Sequence, residues 1–292
     1  MRILQLYDKP EPTISFEFFP PKSAEAEATL FTETVPSLQE LGPSFISVTY
    51  GAGGGTRATT LRVVDRIRKQ FGIEAMAHLT CVGSTRDMLA AVLDEAHSLG
   101  IENILALRGD PPKGATTFHM TEGGFGHANE LVAFVKSQGR FGVGAACYPE
   151  GHVECSDKKL DWDRAAAKVD AGAEFLISQL FYDHRDFLEM EDYLRNNRKV
   201  TVPIVPGVLP FLTAEQIKRF TALCGAKLAD GLKKKLEALA HDDEAVRRLG
   251  VEVCSDICRK LLDHGVPGIH FYCLNRVPSC REIVNNLGLA ST

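Results

Sequence analysis

None of the eight cysteines forms a Cys-x-x-Cys pair, which removes zinc-ribbon and thioredoxin-like architectures from consideration. Long basic runs are also missing. The formal net charge is −5, and the short Lys233-Lys234-Lys235 stretch reads as a solvated helix face. Nucleic-acid binding is therefore not expected. No apolar run approaches the length of a membrane span. The first eight residues are too short and too polar for a secretory signal. A cytoplasmic protein without a membrane partner is expected. No Gly-Lys-Ser/Thr follows the Gly53-Gly54-Gly55 run, so it is not a Walker loop. Low-complexity segments and short-period repeats are absent as well.

The 292 residues are 45% hydrophobic and 24% charged, the profile of a globular chain with a full core. Short β-rich runs alternate with longer helical ones. The runs are Thr13 to Phe18, Phe45 to Thr49, Glu74 to Leu79, Ile104 to Leu107, Gly142 to Ala146, Phe175 to Gln179, Ile204 to Gly207 and Ile269 to Tyr272. Apolar residues at helical spacing fill the gaps, as in Met88, Leu89, Val92, Leu93, Ala96 and Leu99. About eight strand-helix units predict an α/β fold, a (β/α)₈ barrel. Ala229 to Leu239 and Asp242 to His264 are expected as extra helices before the eighth strand. A doubly wound sheet is the alternative, but its first strand usually runs into Gly-x-Gly-x-x-Gly, and here it ends in Pro20-Pro21. No composition break divides the chain, so residues 1–292 are read as one catalytic domain.

The first strand holds a carboxylate in an aromatic run, Ser15-Phe16-Glu17-Phe18-Phe19. In extended chain Ser15, Glu17 and Phe19 share one face. Loss of hydration there would favour the neutral form of Glu17 and suit it to general-acid work near neutral pH. An edge-strand glutamate facing water is the alternative. Barrel chemistry sits at the C-terminal strand ends. Those ends supply Thr49-Tyr50, His78, Arg108-Gly109-Asp110, Tyr148 to His152, Gln179, and Tyr272 followed by Asn275-Arg276. His78 lacks a second ligand at metal spacing and is read as a hydrogen-bonding group. Glu150 and His152 fall short of the three protein ligands a catalytic zinc requires, so no metal is expected. Asp161, Arg164 and Lys168 fall at i, i+3 and i+7 and share a helix face. They form either a clasp for a ribose and a diphosphate or an ordinary solvated surface.

In order along the chain, these segments resemble the methylenetetrahydrofolate reductase family in its short bacterial form. They are Ser15 to Pro21, Thr49 to Ala52, His78-Leu79-Thr80-Cys81, Leu107 to Asp110, Tyr148 to His152, Lys168 to Ala173, Gln179 with Phe181 and Asp183, Pro206 to Pro210, and His270 to Arg276. The resemblance implies a barrel that binds FAD, takes hydride from NADH or NADPH, and reduces 5,10-methylenetetrahydrofolate to 5-methyltetrahydrofolate by a ping-pong route. It implies Glu17 as the acid that opens the folate's five-membered ring, and Asp110 as the residue that contacts the pterin and tunes the flavin. It places Thr49, Tyr50, Ala52, His78, Arg108, Gly109, Asp110, Ala128, Tyr148, His152, Asp161, Arg164 and Lys168 against the flavin cofactor. It places Gln179, Gln216, Phe220 and Arg276 against substrate.

The chain departs from the family pattern at a few positions. Arg164 stands where Asn is frequent, Ala167 where a basic residue is common, Cys147 for a small residue, Cys273 for Thr and Leu180 for Phe. Arg164, one turn earlier on the same helix, would replace the charge missing at Ala167. No C-terminal regulatory domain and no S-adenosylmethionine control are expected, and a homo-oligomer is. Two other readings are a flavin-free reductase that passes hydride directly to folate and a non-catalytic barrel partner subunit. The presence of Asp161, Arg164 and Lys168 favours FAD over the first, and that of both Glu17 and Asp110 argues against the second.

Overall fold

The structure, a computed structural model, describes residues 1–50, 57–111, 114 and 117–290. Its described strands are β1 (Thr13–Phe18), β2 (Phe45–Val48), β3 (Ala75–Thr80), β4 (Asn103–Leu107), β5 (Gly142–Cys147), β6 (Phe175–Ser178), β7 (Ile204–Val205), β8 (Gly207–Val208) and β9 (Gly268–Tyr272). All pair in parallel, in the order β7-β6-β5-β4-β3-β2-β1-β9-β8. Helices α1 (Ala24–Thr29) and α2 (Val35–Gln39) flank a π-helical turn, Leu30–Thr34. Pro36 has no N–H to donate back to Thr32, and the helix widens just before it. The outer layer continues with α3 (Arg57–Phe71), α4 (Arg86–Ser98), α5 (Ala128–Ser137), α6 (Lys158–Asp170), α7 (His184–Asn196), α8 (Ala214–Cys224), α9 (Asp230–Leu239), α10 (Asp243–His264) and α11 (Pro278–Asn286). Side-chain caps start many of them: the Thr85, Thr213 and Asp242 side chains accept from Met88, Gln216 and Ala245 N–H.

The seventh barrel strand, expected as one run from Ile204 to Gly207, is two short strands. Pro206 lacks the N–H that a continuous ladder would need and separates β7 from β8. The two pieces face opposite neighbours, β7 bonding β6 and β8 bonding β9. Side chains bridge the seam where the ladder stops. Gly207 N–H donates to Ser178 Oγ at 2.9 Å, and Tyr272 OH donates to Ser178 C=O at 2.6 Å. The barrel is thereby nearly closed, with the two pieces filling one of eight strand positions.

Strand alternation produces two cores. Outward residues such as Phe16, Val48, Ala77, Ile104 and Val143 pack on the helices. Inward residues Phe45, Met76, Leu105, Phe175, Ile177 and Val205 fill the barrel, and Ile3 and Leu6 from a 3₁₀ turn, Ile3–Asp8, join them. Asn103 ties that turn to the barrel, its Oδ1 accepting from Ile3 N–H at 2.9 Å and its Nδ2 donating to Met1 C=O at 2.8 Å.

Phe175 is fully buried inside the barrel. Phe175→Ala is expected to lower stability by about 3–5 kcal/mol, through lost transfer energy and a residual cavity. Urea denaturation should show the midpoint falling with little change in slope; a loss under about 1 kcal/mol would contradict this packing.

Candidate active site

The polar residues of the barrel interior gather at the C-terminal end. Register sets the first cluster: Ser15 pairs with His270, and Glu17 lies between Ser47 and Tyr272. His270 is fully buried. Its Nδ1 lies 2.7 Å from Ser15 Oγ, and its Nε2 lies 3.4 Å from Ser47 Oγ and 3.7 Å from Glu17 Oε2. A proton on Nε2 satisfies this set, because the Ser15 hydroxyl can then donate to Nδ1. On the other side of Glu17, His78 Nε2 approaches Oε2 at 3.4 Å without hydrogen-bond geometry. Burial lowers the His78 pKa to about 4 against the opposing pull of Glu17. His78 is therefore neutral at pH 7. The Glu17 side chain is only 12% exposed, so it belongs to this cluster and not to an edge strand in water.

A second cluster lies on the rims of β4 and β5 and on α6. Gly109 has φ +86°, and a Cβ there would lie 2.8 Å from Val82 Cγ1, so only glycine lets the chain turn this closely. Arg108 donates to both Glu154 oxygens at 2.6 and 2.9 Å and lies over the Phe118 ring at 4.8 Å. The Glu154 partnership raises the Arg108 pKa. Asp110 follows at the exposed rim, and its charge acts on Arg108 and on the Tyr148 hydroxyl. Burial pushes the Tyr148 pKa up. The Tyr148 ring meets His152 edge-on at 4.8 Å. His152 Nδ1 accepts from Glu154 N–H, and burial lowers the His152 pKa, which leaves Nε2–H as its free donor.

The three charges on α6 separate. Asp161 is buried, Arg164 is exposed, and Lys168 turns inward so that Nζ donates to Ala146 C=O at 2.7 Å. Burial lowers the Lys168 pKa, with Asp161 opposing it. Among the described residues no carboxylate lies within ion-pair distance of Lys168 or Arg164. The ammonium sits 5.7 Å from the Tyr148 ring centre. A desolvated cation with one backbone acceptor suits an anionic ligand better than a solvated surface does.

Other expected residues are placed less centrally. Thr49 C=O accepts from Thr60 Oγ1, and Tyr50 OH accepts from Arg57 Nε at 3.2 Å. Ala128 opens α5, where Glu130 accepts from Gly126 and His127 N–H. Ala52 and the glycine run lie outside the described residues. Gln179 Oε1 accepts from Leu180 N–H, and Gln216 Oε1 accepts from Leu212 N–H while Thr213 caps the same turn. Both glutamines are thus engaged with backbone in this conformation. Gln216 and Phe220 lie one turn apart on α8. Arg276 is exposed beside a cavity of about 380 Å³ lined by Leu212, Tyr272, Leu274 and Pro278. Leu274 and Asn275 there have φ of +52° and +58°, an uncommon backbone for such residues. Asn275 holds the bend by bonding both N–H and C=O of Phe19. Sequence reading did not assign roles to Ser47, Glu154, His270 or the Ser15 hydroxyl. The period-2 alternation that puts Ser15 on the face of Glu17 was the available signal for that serine.

Among the described residues no helix is long and apolar enough to cross a membrane. The family model for methylenetetrahydrofolate reductase matches residues 2–288. The 5,10-methylenetetrahydrofolate reductase of Salmonella typhimurium is 36% identical over 94% of this chain and 90% of that protein. "Methylenetetrahydrofolate reductase (NADH) 1" of Arabidopsis thaliana is 36% identical over 99% of this chain and 50% of that protein. The chain thus spans about half the length of the plant relatives it matches. A solved structure of an uncharacterized Clostridium thermocellum protein, described as binding two copies of 5-methyl-5,6,7,8-tetrahydrofolic acid, has TM-score 0.67 at 14% identity, covering 98% of each chain. That likeness concerns the fold alone.

His78 provides a pH test of the first cluster. Between an ordinary pKa of 6.5 and its folded value of about 4, the unfolded chain binds a proton that the folded chain does not. Its contribution therefore disappears as pH falls through that window. His78→Gln should flatten this part of the stability profile, read as urea midpoints from pH 7 to pH 4. An unchanged slope would mean that His78 is not buried as described.

Proposed function

The chain belongs to the methylenetetrahydrofolate reductase family, and from that premise we propose that it reduces 5,10-methylenetetrahydrofolate to 5-methyltetrahydrofolate, with NADH or NADPH as donor and FAD as the bound carrier. The observation that carries this reading is the Glu17 carboxylate on the barrel's inner face, beside two imidazoles. FAD, when bound, supplies two-electron hydride chemistry that no side chain can perform.

The residues present fit that cofactor. Among the described residues His78 Nε2 is a buried polar atom without a hydrogen-bond partner, and Lys168 is a desolvated cation whose ammonium donates to a single backbone carbonyl. Lys168 and Arg164 would hold the diphosphate, Asp161 and His152 the ribose and ribityl hydroxyls, and the Arg108–Asp110 turn with Tyr148 the ring system. Arg164 would replace the cation absent at Ala167. The folate would lie with its pterin near Asp110 and Glu17. Its benzoyl-glutamate would run past Phe220 toward Arg276, where a guanidinium can pair with a carboxylate.

Glu17 is then the acid. It donates its proton to the folate amine nitrogen as the carbon–nitrogen bond of the five-membered ring breaks, leaving an iminium ion that accepts hydride. His270, held by Ser15 on one nitrogen, faces Glu17 with the other and would orient the carboxylate, which regains its proton from solvent at the open mouth. His78 stays neutral and adds no competing positive charge. The negative Asp110 stabilises the iminium electrostatically. Both nicotinamide and folate would use the same mouth in turn, which implies ping-pong kinetics.

Glu17→Gln is expected to separate the two halves of the cycle. Flavin reduction by nicotinamide needs no acid and should survive, whereas folate reduction should fall by about 10²-fold or more. Stopped-flow measurement of each half decides it, and equal loss in both would return Glu17 to a structural role. Lys168→Ala with Arg164→Ala should weaken FAD retention on dialysis, since charge-assisted bonds contribute about 1.5–3 kcal/mol each. Unchanged retention would remove α6 from the cofactor site.

A further inference from the structure

The segment between β5 and α6 holds two things at once. Its Tyr148 and His152 belong to the second cluster, and Glu154 grips Arg108. The same segment also reaches across to the C-terminal end of α8. Glu150 accepts the Lys227 N–H with both oxygens, at 2.9 and 3.2 Å. Three residues on, Val153 lies against Gly225, the left-handed residue that ends α8. A Cβ on Gly225 would fall 2.7 Å from Val153 Cγ1. Helix α8 carries Gln216 and Phe220, and its last residue, Cys224, is close enough for its thiol to respond to Asp110. The helix therefore spans the mouth from the Arg276 side to the Asp110 side.

We propose that Glu150 is a positioning residue that latches the C-terminal end of α8 across the barrel mouth. This inference rests on the proposed substrate contacts of α8 for its kinetic consequence, but the latch itself does not depend on them. Desolvation of the half-buried carboxylate is the largest influence on it and raises its pKa from 4.5 to about 7, while the Lys227 N–H and the Lys227 and Lys158 charges favour the ionised form. The bond from Lys227 N–H is therefore strongest to the ionised carboxylate. Val153 against Gly225 adds an apolar contact beside it.

Amide hydrogen exchange of the purified full chain reads the latch without any substrate. Relative to wild type, Glu150→Ala should lower protection of the Lys227 amide, corrected for intrinsic exchange, by about fivefold or more, and Glu150→Gln, which keeps an acceptor, should retain more of it. Glu150→Ala protected as well as wild type would overturn the proposal. In steady state, Glu150→Ala should raise the folate KM severalfold more than it lowers kcat, with Glu150→Gln restoring KM. Equal effects on both parameters would also count against the latch. Absence of folate turnover in the wild type would instead refute the proposed function and leave the exchange result standing.

Discussion

A carboxylate placed inside a barrel must find partners, because a charge removed from water is costly unless it is paired or hydrogen-bonded. Glu17 has the His78 and His270 imidazoles beside it, at 3.4 and 3.7 Å, only because the barrel closes. β9 lies beside β1 in a register that sets His270 against Ser15, and β3 brings His78 to the other side. The three residues come from distant parts of the chain and meet only after the sheet has curled. The serine pair beneath, Ser15 and Ser47, satisfies the fully buried imidazole of His270 and fixes its direction. The closure that protects the core is thus the same event that assembles the cluster around Glu17.

The rim outside this cluster follows a different rule. Among the described residues its charges are paired at the exposed surface or make no ion pair. Lys168 spends one donor on a backbone carbonyl, Arg108 rests on an exposed loop carboxylate, and Asp110 and Arg164 face solvent. Such groups stabilise the fold little but are available to a ligand. On the proposed reading, Glu154 keeps Arg108 extended until a cofactor takes its place, and the same loop reaches α8 through Glu150 and Val153. Cofactor cradle and substrate helix are then two sides of one short segment.

Much of this was legible beforehand. Strand positions follow from β-rich runs bounded by Gly and Pro, and helices from apolar spacing, as in Leu89, Val92, Leu93 and Ala96. Strand ends located Glu17, His78, Arg108 and Tyr148, because barrels place their polar residues there. The break at Pro206 was in view, but its consequence was not. Whether a proline ends a strand or divides it depends on neighbours that sequence does not specify. Glu150 with Lys227 and Ser15 with His270 are separated by 77 and 255 residues. No local pattern encodes such pairs. The face of α6 was read correctly in spacing but not in depth, since burial of Asp161 and inward turning of Lys168 depend on how the helix packs over β5.

The most direct test of the account is an anaerobic spectrum of the purified chain. It should be yellow with bound flavin. NADH or NADPH should bleach it, and 5,10-methylenetetrahydrofolate added afterwards should restore the colour with about one 5-methyltetrahydrofolate formed per flavin, as a shared site used in turn requires. A colourless protein that binds no added FAD, or a bleached protein that folate fails to reoxidise, would contradict it.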